Sequence, residues 1–216
     1  MMKHDIFRGI LERRMVAIVR AGTPDAALQM AEACIAGGIT ALEVAFTTPD
    51  TVGVLRTLSE RHGVDVMLGA GTVLDPETAR HAILAGAQFI ISPSVNVETI
   101  KIAQRYQVLS MPGAMTPTEI GAALDAGADI IKVFPAEVFG PSYIKALKAP
   151  LPQAPLMPTG GVTVDNLADW FANGATAVGI GSSLTGPAAS GDYPAVTTRA
   201  RAFVEKMDAI KRGWTA

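Results

Sequence analysis

Two charged residues lie within otherwise apolar stretches of the sequence. Lys132 occurs in IIKVFPAE, at 130–137, and Glu43 occurs in ITALEVAF, at 39–46. A buried charge without a partner is costly, so such groups usually pair, change their protonation state or take part in chemistry. A lysine among apolar side chains can attack a carbonyl carbon and form a Schiff base. A carboxylate nearby can move the protons that imine formation requires.

Both stretches have the composition of buried strands, in which alternate residues share one face. Lys132 then shares a face with Phe134, and Glu43 shares a face with Ala41 and Ala45. If the two strands enclose one interior, the amine and the carboxylate both point into it. The alternative is a structural ion pair, although desolvation makes such pairs weak stabilisers. The residues therefore favour the catalytic interpretation.

Two glycine-rich stretches end the last two predicted strands. They are PTGG at 158–161 and GIGSS at 179–183. Glycine lets backbone N–H groups approach an anion closely, and a helix that follows adds a favourable dipole. The structural alternative is tight packing of the turns. In eight-stranded barrels the loops after strands seven and eight often bind phosphate, so the two stretches together predict a phosphate site.

Two further residues lie at the ends of predicted strands. Thr72, in GAGTV, could offer its hydroxyl to a carboxylate, but a threonine that simply ends a strand explains the residue better on its own. Arg20 ends the first predicted strand, and its planar head suits a carboxylate or a phosphate. An exposed, solvated side chain explains Arg20 equally well. Neither GAGTV nor GIGSS has the third glycine of a dinucleotide-binding sequence.

The rest of the chain indicates a scaffold that brings these residues together. Short apolar runs alternate strictly with amphipathic segments that begin at Thr, Asp or Pro, which predicts a parallel α/β fold. Eight such units predict a (β/α)8 TIM barrel, with a doubly wound open sheet as the alternative. We predict one domain over 1–216, with a short N-terminal helix at about 3–13 and a C-terminal helix at about 193–212. The strands are predicted at 15–21, 39–46, 66–73, 88–93, 108–113, 129–135, 156–161 and 177–181.

Composition limits the class of function. The chain has 18 Lys and Arg against 20 Asp and Glu and no basic stripe, so nucleic-acid binding has little support. The N-terminus lacks the apolar core of a signal peptide, and no apolar run reaches membrane-spanning length, so we expect a soluble, cytoplasmic protein. We also expect no metal and no cofactor, because the single cysteine and the dispersed histidines form no ligand pattern. These residues are Cys34, His4, His62 and His81.

Several motifs, taken in order, closely resemble a known family. They are LEVAFTTPD, GAGTVLDPETARHAILAGAQFIISP, MPGAMTPTE, IIKVFPAE, MPTGGV and VGIGSSL. From about residue 5 to 187 the chain resembles the 2-keto-3-deoxy-6-phosphogluconate aldolases, also called 4-hydroxy-2-oxoglutarate aldolases. The resemblance implies a metal-independent class I aldolase, a (β/α)8 barrel, a homotrimer and a place in the Entner-Doudoroff pathway.

The resemblance also implies a reaction and the residues that perform it. Lys132 would form the Schiff base and Glu43 would act as general acid and base in the reversible cleavage of 2-keto-3-deoxy-6-phosphogluconate to pyruvate and glyceraldehyde 3-phosphate. The pyruvate pocket would be lined by Thr72, Pro93, Phe134 and Thr159. The substrate phosphate would be held by Gly160, Gly161, Gly181 and Ser182.

One position departs from the family pattern. Many members have an arginine four residues after the catalytic glutamate, where it contacts the pyruvyl carboxylate. This chain has Thr47 there, in a pattern that a subgroup shares. We expect Thr47 in the substrate site, and we expect Arg20 and Thr72 to bind the carboxylate in place of the arginine.

Alternative functions stay open. The same chemistry could act on the galactonate epimer, or on unphosphorylated 4-hydroxy-2-oxoglutarate to give pyruvate and glyoxylate. Another phosphate-binding barrel, such as an isomerase or a synthase, would explain the glycine-rich loops but would leave Lys132 without a role. A non-catalytic barrel scaffold would tolerate joint apolar replacement of Glu43 and Lys132.

Overall fold

The structure, a computed structural model, describes residues 2–214, in which short strands alternate with helices. The strands are β1 (Met15–Val19), β2 (Ala41–Ala45), β3 (Met67–Gly71), β4 (Phe89–Ile91), β5 (Leu109–Met111), β6 (Gly113–Ala114), β7 (Ile131–Val133), β8 (Leu156–Pro158) and β9 (Val178–Ile180). The helices are α1 (Lys3–Arg13), α2 (Pro24–Ala36), α3 (Thr51–His62), α4 (Pro76–Leu84), α5 (Val97–Arg105), α6 (Pro117–Asp125), α7 (Pro141–Lys148), α8 (Leu167–Ala172), α9 (Ser182–Thr185) and α10 (Tyr193–Trp214). Short 3₁₀ turns lie at Ala136–Val138 and Gly186–Ser190.

All the paired strands are parallel, which confirms the predicted α/β class. One sheet has the order β5-β4-β3-β2-β1-β9 and the other has the order β6-β7-β8. The predicted fifth strand, 108–113, is divided at Pro112, because proline has no N–H to donate to a neighbouring strand. A single parallel bridge between Thr159 and Gly179 links the second sheet to β9.

The terminal helices agree closely with the sequence-based expectation. α1 has the predicted bounds, and α10 extends two residues beyond 212 to Trp214. The predicted domain also includes positions 1, 215 and 216, which lie outside the described residues. Within residues 2–214, no helix has both the length and the apolar composition needed to cross a membrane.

The strands separate two apolar layers. On one face, residues such as Leu42 and Val44 of β2 pack in a large cluster against the surrounding helices. On the other face, both sheets contribute to one interior cluster, which α1 joins through Ile6 and Ile10. The strand and strand-flanking members of that interior cluster are Val16, Ala41, Met67, Phe89, Ile91, Leu109, Met111, Ile130, Met157 and Ala177.

Helix α1 closes the interior at the amino ends of the strands. Its Gly9 lies so close to β3 that a methyl group added there would come within 2.6 Å of the Met67 sulfur. Lys3 forms an ion pair with Asp129 at 2.8 Å, just before β7. Because α1 fills this end with apolar side chains, polar groups of the interior are accessible from the carboxyl ends of the strands.

The starts of helices α2 to α6 are each fixed by a side-chain cap. Asp75 caps α4, and its Oδ1 accepts a hydrogen bond from Thr78 N at 2.6 Å. The backbone hydrogen bond from Thr78 is the largest cause that lowers the pKa of the Asp75 carboxyl below its usual range. The ionised cap therefore stabilises the fold above the ordinary aspartate pKa, and this stabilisation is lost as the pH falls through the lowered value.

We predict that Asp75→Ala lowers the free energy of unfolding by about 1 kcal/mol at about pH 7. The loss should be smaller at about pH 3, below the ordinary aspartate pKa, because the stabilisation by the ionised cap declines once the pH falls below that value. Urea unfolding at the two pH values measures both differences. Asp125→Ala is a matched control, since this exposed aspartate ends α6, where a negative charge does not favour the helix. An equal loss in both variants would contradict the role of the cap.

Candidate active site

Lys132 and Glu43 face each other inside the molecule. Lys132 lies in β7 and Glu43 in β2, and the alternation of each strand turns both side chains away from the helices. Lys132 Nζ lies 3.7 Å from Glu43 Oε1, and the two side chains are only 7% and 3% exposed. At 3.7 Å the contact is an ion pair that is longer than a hydrogen bond. The ammonium also lies 5.1 Å from the centre of the Phe134 ring, within reach of a cation–π contact.

Gly71 provides the space that the Glu43 carboxylate occupies. It ends β3, beside β2, and a methyl group added to it would lie 2.7 Å from Glu43 Oε1 and 2.8 Å from Cδ. Carbon and oxygen atoms that are not bonded to each other do not approach so closely. Any side chain at position 71 would therefore displace the carboxylate from its place beside the lysine.

A cavity of about 960 Å³ opens over this pair. It brings together eleven of the twelve predicted site residues, from strand ends that are far apart in the sequence. They are Arg20, Glu43, Thr72, Pro93, Lys132, Phe134, Thr159, Gly160, Gly161, Gly181 and Ser182. This size is ordinary for a site that encloses a small metabolite.

Thr47 is the predicted residue that the cavity lining does not include. Its side chain is exposed, whereas its neighbour Thr48 is buried. The Thr48 hydroxyl accepts a hydrogen bond from Ala21 N at 3.2 Å, and Thr51 Oγ1 donates to the Thr48 carbonyl at 2.8 Å. Thr47 is thus exposed and does not line this cavity, and its place in the substrate site stays a prediction.

Two threonine hydroxyls line the cavity and have no strong hydrogen-bond partner among residues 2–214. Thr159 is buried, and its hydroxyl reaches only the Met157 carbonyl, at 3.5 Å. Thr72 adopts a φ of 58°, which is a rare and costly conformation for a β-branched residue. This conformation turns the chain after β3 and places Thr72 in the cavity wall. Both hydroxyls are free to bond a ligand.

The loop after β8 has a conformation that needs glycine. Gly160 and Gly161 have φ values of 100° and 70°, in the region that side chains disfavour. Asn166 holds this loop, because its Nδ2 donates to the Gly161 carbonyl at 2.8 Å and its Oδ1 accepts from Thr163 N at 2.8 Å. Asn166 thus holds the carboxyl-terminal end of this glycine-rich loop, which lines the cavity together with Gly181.

The charge in the cavity is divided between its interior and its mouth. Glu43 and Lys132 form the buried pair, while Arg20 and Glu137 line the exposed part. Across the described chain, neither Arg20 nor Glu137 has a hydrogen bond or an ion pair through its side chain. The Arg20 guanidinium is thus available to an anion.

Sequence reasoning missed several residues of the cavity lining. Some were visible within the motifs: Glu137 ends IIKVFPAE, and Ser183 ends GIGSS. Others, on β1, α2, α9 and the nearby loops and turns, are small residues, apolar residues or threonines, whose types alone do not distinguish a cavity wall from ordinary packing. These are Ile18, Ala21, Gly22, Thr23, Ala26, Met30, Val162, Thr163, Thr185, Gly186, Ala188 and Ala189. No group of three or more His, Cys, Asp or Glu side chains within residues 2–214 is placed to hold a metal ion.

Comparison with solved structures defines the class of protein. The chain is similar to the KDPG aldolase of Legionella pneumophila, a structure in which pyruvate was captured as a covalent carbinolamine intermediate, with a TM-score of 0.84 and 28% identity. The similarity covers 94% of this chain and 98% of that one. The parallel α/β fold is thus that of sugar-acid aldolases.

The sequence comparisons identify the family. A family model described as KDPG and KHG aldolase matches residues 7–198, and the chain belongs to this family of lyases. It is 40% identical to the 2-dehydro-3-deoxy-6-phosphogalactonate aldolase of Escherichia coli, over 79% of this chain and 83% of that protein. It is also 40% identical to the 2-dehydro-3-deoxy-phosphogluconate aldolase of Pseudomonas aeruginosa, over 74% and 73% of the two chains.

We predict that Gly71→Ala lowers kcat by about 100-fold, because a shift of about 1 Å in a reacting group has an effect of this size. Steady-state rates and urea unfolding, measured together, separate the loss of activity from any loss of stability. Gly121→Ala is the control, since a methyl group there, on α6, meets nothing within 4 Å and should leave the rate unchanged. A wild-type kcat in Gly71→Ala would contradict the claim that Glu43 needs this space.

Proposed function

We propose that this protein is a class I aldolase, which cleaves a phosphorylated 2-keto-3-deoxy sugar acid into pyruvate and glyceraldehyde 3-phosphate. The observation that carries the proposal is the buried pair of Lys132 and Glu43 at 3.7 Å in the wall of one cavity. An amine and a carboxylate at this spacing are the groups that imine chemistry requires. The covalent carbinolamine named for the Legionella pneumophila relative supports the same chemistry here.

The reaction begins with addition of the substrate to the lysine. Lys132 first gives a proton to Glu43, and the neutral amine then attacks the C2 ketone to form a carbinolamine. Glu43 donates that proton to the departing hydroxyl, so that water leaves and a protonated imine remains. Glu43, now a carboxylate, takes the proton of the C4 hydroxyl. The C3–C4 bond breaks, its electron pair flows into the imine, and glyceraldehyde 3-phosphate leaves. The enamine is then protonated at C3 and hydrolysed, which releases pyruvate and restores the lysine.

The cavity offers contacts for each part of such a substrate. We assign Thr72, Pro93, Phe134 and Thr159 to the pyruvyl end, where the threonine hydroxyls can donate to a carboxylate. Arg20 can bind a carboxylate through its planar head. We assign the phosphate to Gly160, Gly161, Gly181 and Ser182, which line the same cavity and have backbone N–H groups that can donate to an anion.

The preferred epimer stays open between two candidates. Relatives named for the galactonate and for the gluconate compound are each 40% identical to this chain, so the galactonate substrate has at least as much support as the gluconate one. Activity on 4-hydroxy-2-oxoglutarate is a further candidate, since the family name includes KHG aldolases. A non-catalytic scaffold has less support, because a binding barrel has no need of a buried amine and carboxylate.

We further propose how the chain closes into a barrel, how it assembles and where it acts. The interior cluster shared by both sheets, the continuity through Pro112 and the Thr159–Gly179 bridge support a closed (β/α)8 barrel that forms a single domain. We propose a homotrimer, a cytoplasmic location, independence from metals and cofactors, and a role in Entner-Doudoroff-type metabolism of sugar acids. Membership of the KDPG and KHG aldolase family supports these proposals.

We predict that Lys132→Arg lowers kcat by at least about 10⁴-fold while the protein stays folded, because a guanidinium keeps the charge beside Glu43 but cannot form the imine. Pyruvate release, followed with a coupled dehydrogenase, measures the rate, and circular dichroism checks the fold. Lys145→Arg, on the exposed face of α7, is the matched control and should stay within about twofold of the wild type. The enzyme should also keep its rate in EDTA. Activity in Lys132→Arg, or its loss in EDTA, would contradict the mechanism.

We predict that both phosphorylated epimers have a KM at least about tenfold lower than 4-hydroxy-2-oxoglutarate, which corresponds to about 1.4 kcal/mol from the phosphate contacts. Inorganic phosphate should compete with the phosphorylated compounds. A panel of the three substrates, with and without added phosphate, measures these differences and also identifies the preferred epimer. Equal KM values for all three substrates, with no inhibition by inorganic phosphate, would contradict the assignment of a phosphate site to this cavity.

A further inference from the structure

Glu137 is a charged residue of the cavity to which the proposed reaction gives no role. Its side chain is exposed at the cavity mouth, and it forms no hydrogen bond or ion pair within residues 2–214. It lies beside the loop to which we assign the phosphate. A carboxylate next to an anion site is electrostatically unfavourable, although exposure to water and salt weakens the repulsion. Electrostatic attraction therefore does not explain why Glu137 lies beside this loop.

Glu137 packs directly on the two glycines of that loop. A methyl group added at Gly160 would overlap the Glu137 carboxylate and would lie only 2.8 Å from its Cδ. A methyl group added at Gly161 would lie 2.7 Å from Glu137 Cβ and 3.2 Å from its Cα. The whole side chain of Glu137 thus lies along the loop, in the space that side chains at both positions would otherwise take.

The backbone joins the same two segments. Thr159 N donates to the Val133 carbonyl at 2.9 Å, and Ala136 N donates to the Thr159 carbonyl at 2.9 Å. The chain that leaves β7 after Lys132 therefore runs beside the chain that leaves β8. Beyond the second of these hydrogen bonds, the Glu137 side chain packs against the facing loop at Gly160 and Gly161, which have no side chains of their own.

We propose that Glu137 is a positioning residue, whose side chain braces the Gly160–Gly161 loop and fixes it relative to Lys132. Glycine is the most permissive residue of the backbone, so two glycines in succession would otherwise sample many conformations. An unbraced loop has to be ordered when it binds an anion, and that ordering weakens binding. The brace acts through packing rather than charge. This proposal rests on the assignment of the phosphate to this loop.

Three variants separate packing from charge. Glu137→Ala removes the brace, while Glu137→Gln keeps the length and the planar head of the side chain without its charge. Val138→Ala is the matched control, because Val138 lies in the same 3₁₀ turn, is 60% exposed and does not line the cavity. Since Glu137 is exposed, all three proteins are expected to fold, and urea unfolding checks this.

The readouts are KM and kcat for the phosphorylated substrate, the same constants for 4-hydroxy-2-oxoglutarate, and inhibition by inorganic phosphate. Glu137→Ala should raise KM for the phosphorylated substrate and the inhibition constant of phosphate by about tenfold, the effect of ordering about one backbone residue. Its constants for 4-hydroxy-2-oxoglutarate should stay within about twofold of the wild type. Glu137→Gln should stay within about threefold for every substrate, and Val138→Ala should match the wild type.

Two results would overturn the brace. One is a Glu137→Ala variant with wild-type constants, and the other is a Glu137→Gln variant as impaired as Glu137→Ala, since the charge would then be what matters. If phosphate inhibits the wild type and Glu137→Ala equally, the phosphate site stands and only the brace fails. If phosphate does not inhibit the wild type at all, both the phosphate site and the brace are wrong.

Discussion

An amine and a carboxylate, almost completely buried and 3.7 Å apart, are the interaction on which the rest of this structure depends. Taking both charges out of water is costly, and their attraction offsets that cost only in a well-fixed geometry. The fold supplies that geometry from rigid elements: Lys132 on β7, Glu43 on β2 and a glycine at the end of β3. Helix α1 fills the opposite end of the interior with apolar side chains, and the pair is open to the cavity where the strands end.

The ends of the strands also connect the part of the cavity at Lys132 with the part formed by the glycine-rich loop. The segment after Lys132 is hydrogen bonded to the segment that contains Thr159, and Thr159 in turn bridges to Gly179 of β9. Displacement of any one of these segments would disturb both the part of the cavity at Lys132 and the glycine-rich loop. A site built in this way can hold a rigid relation between a carbonyl carbon and an anionic group several bonds away, which suits a substrate that carries both.

The alternation of side chains along strands made the placement of the buried lysine and glutamate predictable from the sequence. Because side chains on a strand point to opposite faces in turn, the positions of Lys132 and Glu43 within apolar runs were enough to place both in one interior. Pattern does not extend past the ends of strands, where Thr72 takes a φ of 58° and the turn after β2 buries Thr48 instead of Thr47. The role of Gly71 was also hidden, since a glycine in a sequence does not reveal which side chain fills the space beside it. Pro112 was visible, but whether a proline ends a strand or divides it depends on the neighbouring strand.

The central claim is that Lys132 forms a covalent imine with a keto acid. Incubation with pyruvate and sodium borohydride, followed by peptide mapping with mass spectrometry, tests it directly, because reduction makes the imine permanent. We predict one adduct per chain, on Lys132, and slower labelling in a Glu43→Gln variant, which lacks the proton carrier. An unmodified chain, or an adduct on Lys101, Lys145 or Lys148 instead, would contradict it.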